Sequence, residues 1–75
     1  MFETRCIIEL KKGHKGTIAE LITENESILR KLMSMGVLPG LSFEIIQTYP
    51  AYVFKIGNTQ IAVDKEIASA ILVSE

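Results

Sequence analysis

The sequence predicts a small, mainly β barrel of about five strands with one α-helix inserted after the first core strand. Three observations predict it. From Leu41 to the end, short segments alternate apolar and polar residues with period two. One stretch, Ile28 to Met33, instead has helical spacing, and glycine or proline punctuates the joins between segments. With 75 residues and 48% apolar content, the chain supports one core and a single domain over residues 1–75.

Along the chain, Cys6-Ile-Ile-Glu-Leu10 is apolar but too short to type, an edge strand or a single helical turn. Lys11-Lys-Gly-His-Lys-Gly16 is a polar, glycine-bounded loop, and Gly16 to Ile22, rich in β-branched residues, is the first good strand. The helix is predicted over Asn25 to about Met35. Thr23 and Glu26 have capping-box spacing, with Asn25 as the rival cap. Its apolar stripe reads as Ile28, Leu29, Leu32 and Met33, with Arg30, Lys31 and Ser34 facing away. Gly36 follows where a helix end needs the left-handed conformation, and Pro39-Gly40 suits the two central positions of a type II turn. Both glycines are therefore expected at positive φ.

Beyond the turn, Leu41, Phe43 and Ile45 alternate with Ser42 and Glu44 as a half-buried strand, which Tyr49-Pro-Ala-Tyr52 interrupts. Tyr52, Phe54 and Ile56 form the next strand, Gly57-Asn58 a two-residue hairpin loop, and Gln60 to Val63 the returning strand. Asp64 caps one helical turn that buries Ile67 and Ala68, and Ile71 to Val73 closes the chain as a last strand. At this length an SH3-like barrel is the natural architecture, since closing the sheet removes exposed edges. An open five-stranded sheet with one packed helix is the alternative.

Charge and composition narrow the function. Eight basic and nine acidic residues are interspersed, for a net charge of −1, without the concentrated basic excess of a nucleic-acid binder. Phe2-Glu3-Thr4 opens no signal peptide, no apolar run approaches a membrane span, and a lone cysteine allows no internal disulfide. A cytosolic protein, with the membrane reached only through a partner, is the simplest expectation.

Chemistry-bearing residues are sparse. Cys6 and His14 are single representatives of their types, and Glu9 supplies at most a third donor. A closed metal shell needs three or four ligands, so neither a metal site nor another cofactor is expected, and Cys6–His14 lacks the orienting group of a nucleophile–base pair. Met33 and Met35 are soft donors, but Met33 on the helical stripe reads as core filling and Met35 as partly exposed. Lys11, Lys12 and Lys15 form the one basic cluster, a solvated loop by default. The set therefore reads as a binding or regulatory module and not an enzyme. The expected docking surface is Val37, Leu38 and Pro39 of the turn together with Tyr49 and Tyr52, apolar and aromatic side chains of the kind that anchor small interfaces. Tyr49 and Tyr52 read equally well as caps on the barrel ends. Partner identity and oligomeric state stay open, weak self-association included.

The order of motifs resembles the ferrous iron transport protein A (FeoA) family. The resemblance rests on Leu10, Gly13, Gly16 and Ile18, on Leu32-Met-Ser-Met-Gly-Val-Leu-Pro-Gly40, and on Ile61-Ala-Val63 with Ala68 and Ile71. It implies an SH3-like barrel and a cytosolic accessory that docks on the cytoplasmic side of the ferrous iron permease FeoB. A related domain forms the C-terminal part of iron-dependent transcriptional repressors. Two departures stand out. Only Tyr49-Pro-Ala-Tyr52 precedes the third strand, where the family usually has a longer connection, and Asp64 stands where a basic residue is common.

Overall fold

Alternation in the sequence becomes a six-stranded antiparallel sheet in the computed structural model, which describes residues 4–74. Phe2 and Glu3, read above for a leader, lie outside the described residues. The strands are β1 (Thr4–Cys6), β2 (Lys15–Leu21), β3 (Ser42–Gln47), β4 (Tyr52–Ile56), β5 (Thr59–Val63) and β6 (Ile71–Ser74). Helix α1 (Glu26–Ser34) joins β2 to β3, and the single turn α2 (Lys65–Ala68) joins β5 to β6. Strand order is β1-β6-β2-β3-β4-β5. The architecture is the mainly β, SH3-like one expected, with one strand more than predicted. The untyped segment Cys6–Leu10 is the second of its alternatives, a single 3-10 turn over Ile7–Glu9, and the additional strand Thr4–Cys6 precedes it as an edge strand on β6.

Two bulges curl the sheet. Ile18 and Glu20 of β2 face consecutive residues of β6, leaving Ala19 extra, and Ile45 and Gln47 of β3 do the same against β4, leaving Ile46 extra. An extra residue bends its strand and increases local twist, so the sheet wraps around its own apolar face. Ile7, Ile18, Leu32, Val37, Ile45, Phe54, Ile71 and Val73 fill that interior. Leu41 departs from the expected alternation: β3 begins one residue later, and Leu41 stays on the surface.

The cap of α1 is Asn25, not the Thr23–Glu26 box. Asn25 Oδ1 accepts from the Ser27 N–H at 2.9 Å, while Thr23 Oγ1 accepts from the Asn25 N–H at 3.0 Å. Glu26 pairs instead with Arg30 one turn on, 3.7 Å away and in solvent. The buried stripe is also rotated from the expected one. Leu32 is fully buried, and Ile28 and Met35 pack against the core, with Met35 partly exposed as expected, whereas Met33, expected in the core, is 49% exposed.

Candidate docking surface

The segment from Met33 to Leu41 positions the most prominent apolar surface, and its conformation follows from local hydrogen bonds. The Gly36 N–H donates to the Met33 carbonyl at 3.1 Å and the Val37 N–H to the Leu32 carbonyl at 3.0 Å. Those two bonds make a Schellman ending, with Gly36 in the left-handed region at φ +87°. In this motif the residue after the glycine folds back on the helix residue five positions earlier. Val37 accordingly joins Leu32 in the core, both at 0% exposure. Val37 is thus a correction: it is a core residue, absent from any docking surface in this conformation.

Leu38 then turns outward. The Leu41 N–H reaches the Leu38 carbonyl at 3.3 Å, and Gly40 has φ +95°, as a type II turn with Pro39 at its first central position requires. The turn is stitched to β2 at Ile18, whose carbonyl accepts from the Gly40 N–H at 2.7 Å and whose N–H donates to the Leu41 carbonyl at 2.8 Å. Leu38 (39% exposed), Pro39 and Leu41 (40%) therefore stand in solvent on a fixed backbone. Beside them lies a groove of about 320 Å³ lined by Met35, Leu41, Ile56 and Thr59, among others.

The tyrosines are not part of that patch. The turn precedes β3 and the 48–51 loop follows it, so the six residues of β3 separate them by roughly 17–20 Å. Tyr49, ahead of a cis bond to Pro50, is 84% exposed, whereas Tyr52 is half-buried and packs against the core. Leu38 and Pro39 are therefore one exposed site and Tyr49 another, with Tyr52 largely a packing residue.

The donors considered for metal or catalysis have local duties. The Cys6 N–H donates to Glu9 Oε2 at 3.1 Å, and the Cys6 thiol to the Ser69 carbonyl at 3.3 Å. His14 Nδ1 accepts from the Lys11 N–H at 3.3 Å, inside its own loop. Among the described residues, no three His, Cys, Asp or Glu side chains are grouped to hold a metal ion. Lys15, Glu44 and Lys55 stand abreast on three neighbouring strands, so the lysine-loop end of the sheet carries mixed charge. Asp64, a departure from the family pattern, has a local role as the α2 cap: its Oδ1 accepts from the Ile67 N–H at 2.8 Å.

Comparison with known proteins agrees with this architecture. A crystal structure described as an iron uptake regulatory protein, FeoA, superposes with TM-score 0.85 at 23% identity, covering 96% of this chain and 97% of that one. Iron(II) transport protein A from Clostridium thermocellum is 34% identical with TM-score 0.82, over 93% of this chain but 44% of its own. A manganese-dependent transcriptional repressor shares the fold at 18% identity and TM-score 0.90, with 99% of this chain matching 42% of the repressor. Among curated proteins, none matches the sequence. The family model for the FeoA domain matches residues 7–75, and the chain belongs to the FeoA family.

Proposed function

We propose that this protein is a small cytoplasmic accessory of ferrous iron uptake that docks on the cytoplasmic side of a FeoB-type membrane permease and regulates its assembly or activity. The observation that carries this reading is the FeoA match over residues 7–75. The geometry supports a role through contact. Leu38, Pro39 and Leu41 project from a backbone already held by hydrogen bonds, so little conformational freedom is lost when a partner covers them. Apolar side chains on a rigid turn are suitable anchors for a small interface, with Tyr49 as a second, separate contact. Among the described residues no helix is long and apolar enough to cross a membrane, and in this reading the membrane is met through the permease.

The test is capture by the cytoplasmic part of a FeoB-type permease. Leu38→Glu places a charge on the anchor without touching the core, so it should leave the thermal transition near that of the parent and abolish co-purification. Binding retained by the folded variant would refute the turn as the docking element. No capture of the parent protein would remove the permease as partner.

The likeness to the repressor favours a second reading, a stand-alone SH3-like domain that acts by contacting another protein. Capture of the permease separates the two. In either reading no metal is held by the monomer, and titration of the purified protein with ferrous iron or zinc is expected to reveal no stoichiometric site at micromolar concentration. Tight binding lost in His14→Ala or Cys6→Ser would overturn that expectation.

A further inference from the structure

We infer that the free edge of β5 is a self-association site, which takes β5 of a second copy in antiparallel register and joins two sheets across a two-fold axis. β5 is last in the strand order, with only β4 beside it. The Gly57-Asn58 loop makes Ile56 and Thr59 the first pair of the hairpin, and the register runs unbroken through Phe54–Ile61 to Tyr52–Val63. Gly57 at φ +61°, with no non-glycine residue at positive φ among the described residues, matches a type II′ loop. The pair that closes such a loop exchanges both of its hydrogen bonds, and bonded pairs then alternate along the ladder. Thr59, Ile61 and Val63 thus point their main-chain groups at β4, while the N–H and C=O of Gln60 and Ala62 point away from the sheet. Among the described residues, no backbone bond outside the ladder reaches those groups.

Natural edges are ordinarily blunted by lysine, proline, a bulge or brevity. Thr59-Gln-Ile-Ala-Val63 has none of these. The other edge shows the contrast: β1 is three residues long, with Arg5 at its centre. An unguarded edge invites a strand, and its chemistry selects the occupant. Antiparallel pairing about Ile61 sets Gln60 opposite Ala62 of the second copy and Ala62 opposite Gln60. The outward groups of each strand then meet those of the other in four main-chain hydrogen bonds. Side chains agree with this register. On the outer face, Lys55 lies beside Gln60 and Val53 beside Ala62. Each row crossing the seam therefore reads Lys55, Gln60, Ala62, Val53, with one lysine per row and no like charges opposed. Thr59, Gln60 and Ala62 are all exposed. A strand-only seam buries little apolar surface, so the dimer should be weak and visible only at high concentration.

Sedimentation equilibrium and amide exchange from micromolar to millimolar protein test this. The expected result is a mass that climbs from monomer toward dimer, with the Gln60 and Ala62 amides gaining protection as it does. Ala62→Pro removes an N–H that the monomer's ladder does not use, a placement proline tolerates on an edge, and should keep the protein monomeric throughout. Gln60→Lys should do the same by charge, and it decides the matter if the proline variant does not fold. A parent protein that stays monomeric at millimolar concentration overturns the inference, as does a dimer kept by both folded variants. A monomeric parent that captures the permease only with Ala62 unsubstituted would give the edge to a permease strand, which also overturns it.

Discussion

Before β3 the chain is tied down at every step; after it the chain is not. Gly36, Val37, Gly40 and Leu41 each donate a backbone hydrogen bond, to Met33, Leu32, Ile18 and Leu38 respectively. Among the described residues, no backbone bond outside the ladders involves residues 48–51, and Tyr49 is 84% exposed. Both segments carry exposed apolar or aromatic side chains around a proline. The difference teaches that exposure alone does not make a binding surface. The first segment is preorganised and presents its side chains at low entropic cost; the second has fewer bonds to hold it, so a partner there has more conformational freedom to fix.

The largest expected effect tests what holds the rigid side. Leu32 is fully buried, and its carbonyl accepts from both Met35 and Val37. Leu32→Ala should destabilise by about 2–5 kcal/mol in denaturant unfolding, because the surrounding sheet can only partly collapse into the void. A loss under about 0.5 kcal/mol, typical of surface positions, would detach the helix end from the core and erase the contrast.

Next in size come the glycines of the turn. Apart from the glycine and its two chain neighbours, no atom lies within 4 Å of where a Cβ would stand at Gly36 or Gly40, so alanine meets open space at both. The penalty is then purely that of a left-handed residue, about 1–2 kcal/mol at each site. Thermal unfolding of Gly40→Ala measures it directly. A shift near zero would mean that the turn relaxes freely and is not held by its hydrogen bonds.

What the sequence displays and what it hides divide along the same line. Gly36, Pro39-Gly40 and Gly57 were legible because each answers a backbone constraint decided within a few residues. The burial of Val37 is hidden from periodicity because it follows from the Schellman ending. A hydrophobic residue directly after the helix-stop glycine, five positions beyond Leu32, was the signal that could have found it. The rotation of the helix stripe toward Met35, away from Met33, depends on how the sheet curls beneath α1, and short-range periodicity does not hold that information. The separation of Leu38 from Tyr49 likewise follows from the strand between them, which a list of exposed apolar residues cannot express. β1 was hidden because three residues are too few to show a period.

A smaller effect concerns the start of the helix. Asn25 Oδ1 accepts from two backbone donors, Ser27 at 2.9 Å and Ile28 at 3.4 Å, whereas Thr23 braces only Asn25. Asn25→Ala should cost about 1 kcal/mol, and Thr23→Ala measurably less. Equal losses would restore Thr23 to the capping role and shift the helix start.

The smallest expected effect on stability falls on the loose side, and it bears most directly on function. Tyr49 has most of its surface in water and no packing to lose, so Tyr49→Ala should change unfolding free energy by less than about 0.5 kcal/mol. Its effect on permease capture is a separate quantity. Sites more than about 7–10 Å apart that share no partner usually act additively, and the length of β3 keeps Tyr49 well beyond that from Leu38. If one partner spans both ends of the strand, the affinity losses of Leu38→Ala and Tyr49→Ala should therefore sum, in logarithmic terms, in the double variant. If only the rigid turn is covered, Tyr49→Ala should leave affinity unchanged and the double variant should match Leu38→Ala alone. A loss in Tyr49→Ala larger than in Leu38→Ala would reverse the comparison, because contacts at the loop would then outweigh both the entropic cost of fixing it and the contacts of the turn already held in place.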